Sequence, residues 1–231
     1  MKTARQILMV IGLFAALGVA GADPANPDAR LQNKAGGTMA YTIVFDGNSW
    51  VAGSGSTSGS NFPAQVAARL QKEGRKVDLL NFGIPGQTID QMMAGVAAKV
   101  DIHHDKYQYL VGLELVNQWG RSSQSREEIY AKYKQYFLDR KKAGFRKVIA
   151  LTPIAQSYYN RADWEKDRQW FIKQMLAEFP RLGIQVANVG ADPKLSDPQN
   201  KTYFTRDQIH PTNAGYEVIA GIVYKTLTAS K

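Results

Sequence analysis

The chain contains no cysteine. That excludes disulfides, and it excludes a lipoprotein, whose anchor is built on a cysteine. Histidine is nearly missing as well, with three in 231 residues. Two of them sit together in His103-His104-Asp105, and adjacent loop residues without further ligands make a poor metal site. No metal and no organic cofactor is expected. Long hydrophobic runs are absent too: the longest uncharged apolar stretch, Ile7 to Ala20, is shorter than the ~20 residues a membrane-spanning helix needs. There is no heptad run, repeat or low-complexity block. The glycine-rich Gly53-x-Gly55-x-x-x-Gly59 lacks a following Gly-Lys-[Ser/Thr] and does not match the dinucleotide fingerprint, so it reads as a crevice wall rather than a phosphate loop.

What remains is the composition of one globular domain, 44% hydrophobic and 21% charged. The first residues stand apart from it. Lys2 and Arg5 precede the apolar run, and Ala20-Gly21-Ala22 offers a small-residue cleavage site. Residues 1–22 therefore read as a signal peptide, residues 23–38 as a disordered or tether segment, and residues 39–231 as the folded domain. An exported protein, periplasmic or secreted in a bacterial setting, is expected, with no stable membrane insertion once the leader is removed. Loss of Lys2 and Arg5 lowers the formal charge from +9 to +7. Such a balance favours acidic surfaces or polymers. The basic residues are scattered, and no recognised module accompanies them, so no nucleic acid is expected. Arg140-Lys141-Lys142 reads as the solvated end of a helix, placed against its C-terminal dipole.

Short apolar runs alternate with amphipathic ones. Tyr41 to Phe45, Val77 to Asn81, Tyr109 to Val116, Lys147 to Ile154 and Ile184 to Val189 read as five strands buried on both faces. Helices are predicted from Phe62 to about Lys72, Thr88 to Val100, Ser125 to Lys142, Ala162 to Phe179, and from Thr212 onward. In Ser125 to Lys142 the apolar residues Ile129, Tyr133, Tyr136 and Phe137 form one stripe, with Gly144 as the stop. The alternation predicts an α/β fold: a flavodoxin-like three-layer α/β/α sandwich with a five-stranded parallel sheet in the order 2-1-3-4-5. In that order the loops leaving the first three strands converge on one crevice.

Each of those loops carries a group suited to acyl transfer. The first holds Asp46-Gly47-Asn48-Ser49-Trp50, the second Asn81-Phe82-Gly83-Ile84-Pro85-Gly86, the third Asn117-Gln118-Trp119. The segment before the last helix holds Asp207-x-x-His210-Pro211. Ester cleavage needs a nucleophile, a base, a group that orients the base, and donors for the oxyanion. Ser49, His210 and Asp207 can fill the first three roles. The backbone N–H groups of Ser49 and Gly86 and the side-chain amide of Asn117 can fill the last. Asn48, Trp50, Gln118 and Trp119 are candidate substrate contacts. For Trp50 and Trp119 the alternatives are a sugar or acyl pocket and plain packing against the loops. Tyr158 and Tyr159 are a candidate further wall. The Gly-x-Ser-x-Gly elbow of α/β-hydrolases is absent around Ser49.

On these residues the chain resembles the SGNH hydrolase superfamily, the GDSL-type esterases and lipases. Gly47-Asn48-Ser49 is similar to the first family block, usually Gly-Asp-Ser. Asn81-x-Gly83-x-x-Gly86 resembles the second, Asn117 the asparagine of the third, and Asp207-x-x-His210 the fifth. The resemblance spans about Tyr41 to the end and implies a flavodoxin-like fold and metal-free serine ester hydrolysis. Two departures stand out. The third block, usually Gly-x-Asn-Asp, reads Leu115-Val116-Asn117-Gln118, and Asn48 stands where the first block has Asp. Each removes a carboxylate. The expected substrate is a small-molecule or polysaccharide ester, with acetyl or another short acyl group favoured over a lipid ester. The alternatives are a carbohydrate O-acyltransferase using the same triad and a non-catalytic carbohydrate or cell-envelope binding module.

Overall fold

The computed structural model describes residues 30–32, 41–157 and 163–229. The leader expected in residues 1–22 lies outside them, as do Tyr158 and Tyr159.

The sheet has six strands in the order β1-β3-β2-β4-β5-β6. They are β1 (Arg30–Gln32), β2 (Tyr41–Gly47), β3 (Val77–Gly83), β4 (Tyr109–Leu113), β5 (Lys147–Leu151) and β6 (Gln185–Ala187). From β2 to β6 all pairings are parallel. These five strands stand in the expected order 2-1-3-4-5. The addition is β1, from the segment read as a tether, which pairs antiparallel with β3 and covers that edge of the sheet.

The helices are α1 (Ser49–Ala52), α2 (Phe62–Lys72), α3 (Ile89–Lys99), α4 (Val116–Arg121), α5 (Arg126–Ala143), α6 (Asp163–Glu178) and α7 (Asn213–Thr228). Their starts follow from side chains that accept orphan first-turn N–H groups. Thr88 and Ser125 form capping boxes with Gln91 and Glu128, and Thr212 caps α7. Gly144 closes α5 in the left-handed conformation, φ +118°. The stripe Ile129, Tyr133, Tyr136 and Phe137 is fully buried. Arg140, read as a solvated helix end, is buried instead, with Nε 2.8 Å from Asp101 Oδ1.

Two short helices were not expected. One opens at Ser49. The other replaces the end of the predicted third strand: β4 stops at Leu113, and Val116 begins α4. The cause is Glu114, whose Oε1 accepts the Asn117 N–H at 2.7 Å and so turns the chain into a helical path.

Beneath the crevice lies a buried charge. Asp46, at the end of β2, is 1% exposed. Its Oδ1 is 3.0 Å from Lys99 Nζ, and its Oδ2 accepts the Tyr136 hydroxyl at 2.7 Å. Lys99 also donates to Phe82 O at 2.9 Å, which ties α3 to β3. This network fixes the strand end three residues before Ser49. Removing one partner of a buried pair leaves the other charge uncompensated. Lys99→Ala is therefore expected to lower the unfolding free energy by about 3 kcal/mol, measured by urea denaturation.

Candidate active site

Ser49 is the first residue of α1 and is 9% exposed. Asn48 caps the helix, its Oδ1 accepting the Trp50 N–H at 2.9 Å. The Ser49 N–H belongs to the first helical turn, where donors lack an intrahelical acceptor. The tight strand-to-helix turn depends on Gly83, where a Cβ would sit 2.2 Å from the Ala52 nitrogen. Asn81 adds a clamp by donating to Val51 O at 3.0 Å.

The opposite wall is the segment before α7. Asp207 Oδ1 accepts the Thr205 hydroxyl at 2.6 Å and the N–H groups of Ile209 and His210 at 2.9 and 3.0 Å. Its Oδ2 is 2.6 Å from His210 Nδ1. Gln208, between them, takes a left-handed φ of +58°. Burial pushes the Asp207 carboxyl up. The His210 N–H, the Thr205 hydroxyl, the His210 ring and the Ile209 N–H outweigh it and hold the carboxyl well below the usual range. An ionised carboxylate only accepts, so the hydrogen on Nδ1 points at Asp207 and the Nε2 lone pair is left open. That Nε2 is 3.0 Å from Ser49 Oγ. The three residues form one hydrogen-bonded line from carboxylate to hydroxyl.

Trp50 holds the two walls together. Its indole N–H donates to Ile209 O at 3.0 Å, and its side chain is fully buried. Gly55, in the glycine-rich loop, packs directly on His210 and Thr205.

The remaining loops meet at Asn117, which is 8% exposed in the first turn of α4. Its Nδ2 donates to Gln87 O at 3.0 Å. Gly86, the neighbouring residue, has φ +77°, and its carbonyl accepts from Arg121 Nη1 at 2.8 Å. Ile84 donates to Gly47 O at 2.9 Å, joining this loop to the end of β2.

The candidate substrate contacts need correction. Asn48, Trp50, Gln118 and Trp119 are all 4% exposed or less. Trp119 packs against Trp164, ring centroids 4.9 Å apart and planes tilted by 60°, and donates to Asp167 Oδ2 at 2.8 Å. Gln118 Nε2 donates to Asp90 Oδ2 and Gln124 Oε1 at 2.9 and 2.8 Å. These side chains hold the loops from behind and do not line an open surface. Leu115, in place of the block's usual glycine, is buried with φ −157°, a negative angle that needs no glycine. His103 stacks on Phe82 and His104 meets Asp105. Among the described residues no group of three or more His, Cys, Asp or Glu could hold a metal ion. No described helix is long and apolar enough to cross a membrane.

Sequence reasoning missed Glu114, Asp90 and Arg121. The signal for Glu114 was available: it is the one charged residue in the apolar run Tyr109 to Val116.

Comparison with known proteins agrees with the fold. The acetylxylan esterase Axe2 from Geobacillus stearothermophilus is 16% identical, with a TM-score of 0.65 over 81% of this chain and 94% of that one. TesA is 19% identical, with a TM-score of 0.64 over 81% and 98%. LAE5, a hydrolase from the metagenome of Lake Arreo in Spain, is 20% identical, with a TM-score of 0.63 over 83% and 99%. At these identities the likeness is one of fold. No curated protein matches the sequence significantly. The sequence model of the GDSL-like lipase/acylhydrolase family matches residues 45–218, which include Ser49, Gly86, Asn117, Asp207 and His210. The chain belongs to the GDSL-like lipase/acylhydrolase family, the serine hydrolases acting on ester bonds.

Proposed function

We propose that the protein cleaves short-chain carboxylic esters, acetyl esters of carbohydrate foremost, through an acyl-Ser49 intermediate. The observation that carries this reading is the continuous line from Asp207 through His210 to Ser49 Oγ. As Oγ bonds to the ester carbonyl carbon, His210 Nε2 takes the hydroxyl proton. Asp207 supports the imidazolium that results. The carbonyl oxygen becomes an oxyanion, received by the Ser49 and Gly86 N–H groups and the Asn117 amide. Collapse breaks the bond to the leaving alkoxide, which takes the proton from His210. Water then enters, gives a proton to Nε2 and attacks the acyl carbon. Ser49 leaves with that proton, and the carboxylic acid is released. Every step is a proton transfer or a displacement at carbon, and none needs an added oxidant or metal.

The short acyl group is supported by the fold shared with an acetylxylan esterase. The basic balance of the chain suits an acidic polysaccharide. The charged start and apolar run of residues 1–22 support export.

The test is fluorophosphonate labelling followed by hydrolysis of p-nitrophenyl esters of rising chain length. Labelling is expected at Ser49 and lost in Ser49→Ala, whose kcat should fall at least ~10⁴-fold. A wild type that is neither labelled at Ser49 nor faster than Ser49→Ala removes the enzyme reading and leaves a binding module. Repeating the assay with an acceptor sugar separates the two chemistries: free acid marks a hydrolase, an acylated sugar a transferase.

Removing the Asn117 amide takes away a donor used mainly in the transition state. Asn117→Ala should lower kcat by about 10²–10³-fold with little change in KM, read from saturation kinetics.

Asp207 stays ionised wherever its depressed pKa lies below the working pH, so it should not produce the acid limb of the activity profile. Asp207→Asn removes the group that fixes the His210 tautomer and should cost on the order of 10⁴-fold in kcat at every pH from 6 to 9 (an assay range, roughly).

A further inference from the structure

Glu114 is buried completely, yet it belongs to no part of the mechanism above. It stands between β4 and α4, behind the loops that carry the site. Its Oε1 accepts the Asn117 N–H at 2.7 Å. The Asn48 side-chain amide and the N–H groups of Gln118 and Ile89 are also directed at the carboxylate and favour its ionised form. Asn48 adjoins Ser49. Ile89 opens α3, three residues after Gly86. Asn117 carries the oxyanion amide. Three of the four site-bearing loops therefore aim donors at one carboxylate.

The chemistry of these partners is one-sided. Asn48 Oδ1 is already occupied by the Trp50 N–H, so the Asn48 group that points at Glu114 is its NH₂. Asn48 Nδ2 and Glu114 Oε2 are both buried, and neither is engaged by any other hydrogen-bond partner. Each is therefore available to the other. A carboxylate, which only accepts, matches this ring of donors. A protonated acid or an amide would put a hydrogen among them.

We propose that Glu114 is a positioning residue for ester cleavage, its ionised carboxylate drawing the Ser49 loop, the Gly86 loop and the start of α4 into catalytic register. The inference rests on the esterase reading of Ser49. The groups that meet Glu114 are uncharged: the Asn48 amide from the Ser49 loop, backbone N–H groups from α3 and α4, and Tyr133 from α5. The Tyr133 hydroxyl donates to Leu151 O at 2.9 Å. Burial and the Glu114 charge raise its pKa well above the usual value, so it stays neutral. No cation offsets the burial of Glu114 in this shell, and burial pushes its carboxyl up to about 7 against the hydrogen bonds that lower it. The sign follows. Falling pH protonates Glu114 in the neutral range and loosens the loops.

The experiment is the pH dependence of kcat on p-nitrophenyl acetate for the full-length wild type, Glu114→Gln, Asn48→Asp and the double variant. The wild type is expected to lose activity on the acid side as Glu114 takes up its proton. Glu114→Gln should show kcat at least ~10-fold lower at pH 8 and an acid limb without that neutral-range step. Asn48→Asp sets two carboxylates face to face and should move the acid limb to higher pH. In Asn48→Asp/Glu114→Gln the charge lies on the other side of the same contact, and most of the lost kcat should return. The inference is overturned if Glu114→Gln keeps kcat within about twofold with the limb unchanged, or if the double variant recovers nothing. If Glu114→Gln does not fold, a wild-type acid limb that is unmoved in Asn48→Asp overturns it equally. Hydrolysis in the wild type with either of these results removes only the Glu114 inference. A wild type no faster than Ser49→Ala removes the esterase reading, and this one with it.

Discussion

A contact of 3.0 Å between His210 Nε2 and Ser49 Oγ joins residues 161 positions apart. Its tolerance is small, because proton transfer requires hydrogen-bond reach and a hydroxyl aimed at the ring lone pair. Neither residue sits on a long element. Ser49 begins a four-residue helix, and His210 ends a loop. The accuracy comes from what stands behind them: the Asp46 network under β2, the Trp50 indole across the crevice, the Gly83 close approach, and four hydrogen bonds into Asp207. The parallel sheet supplies the frame, since it places the ends of β2, β3 and β4 side by side.

The two departures from the family blocks are amides that face carboxylates. Asn48 meets a carboxylate, Glu114, contributed by another loop. Gln118 meets a carboxylate, Asp90, at 2.9 Å. At each position an amide can donate where an aspartate could only repel. The negative charge that the blocks lack is present in the site, moved by one contact to the opposite partner. The departures therefore leave the proposed catalytic groups in place. Arg121, exposed, donates to Gly86 O at 2.8 Å and ties the end of α4 to this loop.

Much of this was legible in the sequence because the signals were local. Alternating apolar runs gave five strands in the right order, and the capping residues Thr88, Ser125 and Thr212 fall within a residue of the observed starts. Ser49, Asp207 and His210 could be named because each lies in a short motif. Two kinds of feature were hidden. One was short structure set by a single side chain, as where Glu114 ends β4 and starts α4. The other was the direction of buried side chains. Trp50 and Trp119 beside the site could equally have faced substrate or core, and only the hydrogen bonds to Ile209 O and Asp167 turn them inward. The strand Arg30–Gln32 was missed because three residues carry no periodicity.

The Trp50–Ile209 bond has a consequence for the life of the chain before it is complete. Ser49 is made early and His210 late. Until the segment around residue 209 has been synthesised and folded back, the indole lacks this acceptor and the Ser49 hydroxyl lacks its imidazole partner. All six strands end by Ala187, so the residues of the sheet are synthesised before either late partner exists. The contact between Ser49 and His210 arrives with the last part of the polymer, together with the acceptor for the Trp50 indole.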